Sequence, residues 1–212
     1  MQQEMWITKA AFFEALALGF LYPNQTLIDA LASGEYAEAL DEISTFLEID
    51  GEDVLQAITD LAAYKGQDKD QLLHQLRREH TRLFIGSPEP EVSPYAGVWY
   101  AQEQGVQPLL FVNKESMAVE RFMRQCGVGQ PEGTNEPLDH IGSELEFLQY
   151  LALIKAQAAT PPADTTIPSD AYEQFYQEHI TNWVPDFAQK TIDTTKTPFF
   201  SAISRLLLAY VK

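Results

Sequence analysis

Residues 138–159, LDHIGSELEFLQYLALIKAQAA, place apolar side chains at Ile141, Leu145, Phe147, Leu148, Leu151 and Ile154. Side chains so spaced return to one side of a 3.6-residue turn, and no proline interrupts them, so a long amphipathic helix is predicted. The flanks agree. GVGQPEGTNEP (127–137) before it and TPPADTTIP (160–168) after it are rich in glycine or proline and predict breaks, with 160–168 the best candidate for a hinge.

The same period recurs along the chain. From Trp6 to Tyr22 apolar residues cover most of a helix circumference, which predicts a buried, central helix ending near Pro23. Thr26 is placed to cap a short helix through Leu31, and Ser33-Gly34 breaks it. Helices follow from Tyr36 to Leu47, Glu52 to Tyr64 and Gln71 to Ile85. In GSPEPEVSP, Pro88, Pro90 and Pro94 forbid helix and central strand, so 86–94 reads as an exposed, semi-rigid loop. Tyr95 to Gln104 predicts a short helix, GVQPLLFVN (105–113) an extended arm, and Lys114 to Cys126 another helix. Two more are expected, Ser169 to Ile192 with a bend near Pro185 and Pro198 to Val211. The predicted fold is all-α, a single-domain bundle of roughly ten helices.

Composition narrows the function. A 212-residue chain can bury one substantial core, and 45% hydrophobic residues exclude a disordered acidic chain. With 14 basic against 31 acidic residues and a net charge of −17, nucleic acid and anionic membranes are disfavoured and cationic partners favoured. The single cysteine, Cys126, excludes an internal disulfide and fits a reducing, cytoplasmic setting. The N-terminus has neither a basic start nor a small-residue cleavage site, and no stretch reaches the roughly 18 uninterrupted apolar residues of a membrane span.

Catalytic motifs are scarce: there is no GxSxG, P-loop, GxGxxG or HExxH. In Asp139-His140-Ile141-Gly142-Ser143-Glu144, helical spacing brings His140 and Glu144 to one face. With Asp139 they could serve a metal-dependent hydrolase or lyase, although beyond His140 and Glu144 as metal ligands a third and fourth are not evident. Alternatively, Asp139 accepts backbone N–H groups near the helix start and His140 bonds at the junction, structurally or against a peptide. A second cluster, Leu83 and Phe84 with Pro94, Tyr95 and Trp99, sets large apolar groups around the proline-stiffened loop. It is suited to line a groove for a peptide, or Phe84 and Trp99 anchor the loop to the core. A helical scaffold with neither activity is the third alternative.

HTRLFIGSPEPEVSPYAGVWY (80–100) resembles the "LF-x-GP … PPYESVY" segment of the TorD/DmsD/NarJ-type redox-enzyme maturation chaperones, and EPLDHIGSELEFLQYL (136–151) resembles their "P-x-DHIG-x-EL-x-FM-x-x-L" helix. Residues 178–211 are similar to their closing "H-x-x-W-x-x-x-F" region. Ser87 stands where glycine is usual before the proline, and Ala96-Gly97 where glutamate-serine is common. The resemblance implies an all-helical, non-enzymatic chaperone of the cytoplasm. Its partner would be the apo-form and twin-arginine leader of a molybdopterin-dependent oxidoreductase, helped to take up its cofactor before export. It also implies that Leu83, Phe84, Pro94, Tyr95, Trp99, Asp139, His140 and Glu144 form the contact surface. Some family members are linked to guanine nucleotide, but no phosphate-cradling loop is present, and no cofactor or metal is assigned to this chain. A monomer is expected, with a domain-swapped dimer as the alternative if a proline-rich hinge extends.

Overall fold

The computed structural model describes residues 1–105, 114–130, 137–163 and 165–212. The extended arm expected at 105–113 lies beyond Gly105 outside the described residues, as does 131–136 of the following break.

Eleven α-helices are present among the described residues, with no strand. The first four are α1 (Gln2–Phe20), α2 (Gln25–Ser33), α3 (Glu35–Phe46) and α4 (Glu52–Ala62). Next come α5 (Lys69–His80), continued by a π-helical turn at Thr81–Ile85, then α6 (Ala96–Glu103), α7 (Lys114–Gln125) and α8 (Ile141–Lys155). The last three are α9 (Ala171–Phe175), continued by a π turn at Tyr176–Ile180, α10 (Val184–Thr194) and α11 (Pro198–Val211).

The bundle is organised by α1 and α8, which pack along one another. As the apolar circumference of α1 predicts, Phe12, Phe13, Leu16 and Phe20 are all buried. Helix α8 buries Ile141, Leu145, Phe147, Leu148 and Leu151 of the predicted face, and its other side is half-buried at Ser143, Gln149, Tyr150, Leu153, Ile154 and Lys155, with only Glu146 exposed. The two helices approach closely at Gly142, where a Cβ would sit 2.7 Å from Leu21 Cδ2. Each fully buried Leu, Ile or Phe contributes about 1.5–3 kcal/mol of transfer energy, so this pair dominates the core.

Two helix boundaries are corrected by local chemistry. Asn24, not Thr26, caps α2, its Oδ1 accepting the Leu27 N–H at 3.0 Å. The predicted Ser169–Ile192 helix is divided at Thr181–Trp183, ahead of Pro185, because proline settles in the first turn of α10, where its missing N–H costs nothing. No single helix among the described residues is long and apolar enough to cross a membrane.

Candidate functional site

The two motifs meet. Tyr95 and His140 form an isolated antiparallel bridge, in which Ile141 N–H donates to the Pro94 carbonyl at 2.8 Å and Ala96 N–H to the Asp139 carbonyl at 3.0 Å. The rings of Tyr95 and His140 meet edge to face with centroids 5.4 Å apart. The proline-rich segment and the start of α8 are therefore fixed to each other by backbone hydrogen bonds.

Each end of the clip has its own support. Asp139 is 1% exposed; its Oδ2 accepts the Gly97 N–H at 2.9 Å and the Ser116 hydroxyl at 2.6 Å. His140 has extended backbone and caps α8, its Nδ1 accepting the Gly142 N–H at 3.0 Å. Glu144 is fully buried and accepts the Trp183 indole N–H at 3.2 Å, with Oε1 unpartnered. Burial pushes the Glu144 carboxyl well above the usual carboxylate range; the neighbouring Asp139 charge adds to this and the Trp183 bond opposes it. Burial raises Asp139 as well, against the hydrogen bonds from Ser116 and Gly97.

The alternative of a metal-dependent hydrolase or lyase needs these three side chains to converge. His140 is the N-cap of α8, with Nδ1 on the Gly142 N–H, while Asp139 takes the Gly97 N–H and Ser116 hydroxyl and Glu144 the Trp183 indole N–H. Among the described residues no group of three His, Cys, Asp or Glu side chains could hold a metal ion.

The loop 86–94 is exposed at Ser87, Pro88, Glu89 and Glu91, but its expected exposure stops there, since Val92, Ser93 and Pro94 are buried. Val92 N–H donates to the Leu83 carbonyl at 2.9 Å, and Arg82 bridges Glu79 and Glu91 at 2.7 Å each. Gly86 turns the chain with φ +44°, and a Cβ there would meet the Glu89 carbonyl oxygen at 2.3 Å.

Beside the clip lies a cavity of about 450 Å³. Phe84, Pro94, Tyr95 and His140 line it, so half of the expected contact residues converge on one space. The others do not. Leu83 is sealed in the core, Asp139 and Glu144 are covered, and Trp99 packs on Phe187 while its indole N–H donates to the Ser93 carbonyl at 2.9 Å. Phe84 serves both readings: it is 4% exposed and touches the rings of Phe20, Phe187 and Phe200, yet it lines the cavity.

Leu21, Tyr22, His80, Ile85 and Ser143 complete the lining. Tyr22 and Ile85 stand out, being 48% and 55% exposed. His80 lies beneath them, its Nε2–H directed to the Phe20 carbonyl at 3.1 Å, and burial lowers its pKa to about 4. Sequence reasoning missed these residues because Leu21 and Tyr22 come from the far end of α1, which only the tertiary fold brings to this place. The exposed position of Ile85 follows from the π turn, whose wider winding departs from the helical face that Gln71 to Ile85 predicts.

A family model described as the nitrate reductase delta subunit matches residues 29–189. Chaperone protein TorD of Vibrio cholerae serotype O1 (strain ATCC 39541) is 29% identical over 146 residues, covering 69% of this chain and 63% of that protein. Chaperone protein TorD of Aliivibrio fischeri is 28% identical over 155 residues, covering 73% and 68%. The chain thus spans less than two thirds of the length of the Vibrio cholerae relative. The crystal structure of a putative redox enzyme maturation protein from Archaeoglobus fulgidus shares the fold, with a TM-score of 0.56 at 19% identity over 95% of this chain and 92% of that one. With the family model covering most of the chain and the two motifs joined as one structural unit, the protein belongs to the nitrate reductase delta subunit family, the TorD/NarJ family.

Proposed function

We propose that this protein is a non-catalytic chaperone of the cytoplasm that binds the twin-arginine leader and apo-form of a molybdopterin-dependent oxidoreductase. It holds the client until its cofactor is inserted, and releases it for export.

The observation that carries this function is the cavity at the Tyr95–His140 bridge. Its volume of about 450 Å³ accommodates a few apolar side chains, and the exposed Tyr22 and Ile85 give an incoming peptide apolar area at the rim. The lining comes from four separated segments, so the cavity exists only in the folded chain and its shape is held by backbone bonds. Such a site suits the apolar stretch of a leader, and the net charge of −17 attracts the cationic end and speeds encounter.

Fluorescence anisotropy of a labelled twin-arginine leader peptide, titrated with the full chain, tests this function. Saturable one-to-one binding is expected; a flat trace up to the solubility limit contradicts it.

A further inference from the structure

Lys9 is set apart from the other lysines of the chain. Lys65, Lys69, Lys114, Lys190, Lys196 and Lys212 are exposed, and Lys155, half-buried like Lys9, is paired with Glu173. Lys9 is in no ion pair among the described residues, and no side-chain hydrogen bond holds its amine.

It lines a second cavity, of about 530 Å³, that opens between the N-terminal half of α1, the turn after α3, the α9 segment and the end of α11. Tyr172, Tyr176 and Tyr210 line the same space, and Lys9 is the one amine among the described lining residues. Burial raises all three tyrosines, Tyr176 to about 12, so their hydroxyls stay protonated and do not compete with Lys9 as nucleophiles.

The surroundings of Lys9 weaken its hold on a proton. Its Nζ lies 4.9 Å from the centre of the Trp6 ring and 5.6 Å from that of Tyr172, and Lys155 Nζ lies 4.6 Å from the same Trp6 ring. Two cations brought to one indole repel each other, and the carboxylate within reach, Glu173, is already engaged by Lys155. Burial lowers the Lys9 pKa; Glu173 opposes this and Lys155 adds to it. The free amine is therefore populated at a lower pH than in an exposed lysine, at a place that a small molecule can enter.

We propose that Lys9 is an acyl-acceptor site, the amine of this chain that takes an acyl group from an uncharged ester or thioester entering the cavity. The donor class follows from charge: exposed Glu48 and Glu173 at the cavity and the net charge of −17 repel anionic donors such as acyl phosphates. In the step, the lone pair of the unprotonated Nζ attacks the carbonyl carbon. The bond to the ester oxygen or thioester sulfur breaks with its electron pair, and the proton lost from Nζ passes to that leaving group. The product is a neutral amide, which no longer presents a charge to the Trp6 and Tyr172 rings.

The test treats the full chain at pH 7 with a trace of N-acetoxysuccinimide, an uncharged acyl donor, and reads the acetylation rate of each lysine by mass spectrometry of the digested protein. Lys9 is expected to react about fivefold faster than the exposed Lys65, Lys69 and Lys212, and to lose that lead when the chain is unfolded in urea. With acetyl phosphate as the donor the lead is expected to shrink below about twofold. A Lys9 rate at or below that of the exposed lysines overturns the proposal, since the amine is then either protonated or out of reach. A lead that survives unfolding overturns it as well, because the cavity would not be its source. An undiminished lead with acetyl phosphate overturns the uncharged donor class on which the assignment rests.

Discussion

Asp139 caps a helix to which it does not belong. Its Oδ2 accepts the N–H of Gly97 in the first turn of α6 at 2.9 Å, while the N-cap residue Tyr95 offers that helix no side-chain bond. The carboxylate thus accepts a helix-start donor across 42 residues of chain and ties α6 to the start of α8. Asp139→Ala removes the buried acceptor shared by the Gly97 N–H and the Ser116 hydroxyl and is expected to cost about 1–3 kcal/mol in urea denaturation. Asp139→Asn keeps an acceptor and is expected to cost less. Equal stability of the Ala variant and the unaltered chain contradicts the capping role.

The raised pKa of Glu144 has a pH signature. Between the unfolded value near 4.5 and its higher folded value the native state binds the extra proton, so stability from this group is present below pH 4.5 and declines as pH rises. Glu144→Gln mimics the neutral carboxyl at every pH. The variant is expected to gain stability relative to the unaltered chain from pH 5 to pH 8, read from urea midpoints, and parallel curves would refute the assignment.

His80 gives the opposite slope. Its folded pKa is lowered to about 4 from 6.5, so between these values the unfolded chain binds the proton and stability falls as pH drops. The group accounts for on the order of 2–3 kcal/mol over that interval, and His179, also lowered by burial, acts in the same direction. His80→Phe is expected to flatten the acid limb between pH 6.5 and 4, and an unchanged limb rules His80 out as its source.

Gly86 tests how the loop is held. Alanine there combines a positive φ with a Cβ 2.3 Å from the backbone oxygen of Glu89, which no rotamer change relieves. Gly86→Ala is expected to destabilise the chain by about 2 kcal/mol or more. Gly66→Ala, also at a positive φ (+79°) but with nothing within 4 Å of the added carbon, is expected to cost less. Equal losses in thermal or urea unfolding would show that the contact with Glu89 is not the controlling one.

Periodicity in one sequence located nearly every helix, because a helix writes its buried face into the residues at i, i+3 and i+4. In α8 it found the face that packs on α1, but not that the remaining side would also be half-buried under neighbouring elements. The site was half legible. Phe84, Pro94, Tyr95 and His140 were found through the motifs, but charge made Asp139 and Glu144 look like surface groups, when their partners Gly97, Ser116 and Trp183 make them interior ones. Tyr22 and Ile85 carry no local signal at all. Each ends up at the rim through a chain break, one after α1 and the other in a π turn.

The electrostatic share of leader binding is accessible through salt. A net charge of −17 predicts that affinity for a twin-arginine leader falls as ionic strength rises from 0.01 M to 0.15 M, as the Debye length shortens from about 30 to 8 Å. An affinity independent of salt would leave only the apolar contribution.

The most direct measurement is leader-peptide anisotropy with Ile85→Asp, since Ile85 is 55% exposed at the rim of the cavity and its replacement leaves the core untouched. A charge set against the apolar segment is expected to weaken binding at least tenfold, at about 1.4 kcal/mol per decade, with an unchanged melting curve. Binding equal to that of the unaltered chain would show that the leader does not occupy the cavity at the Tyr95–His140 bridge.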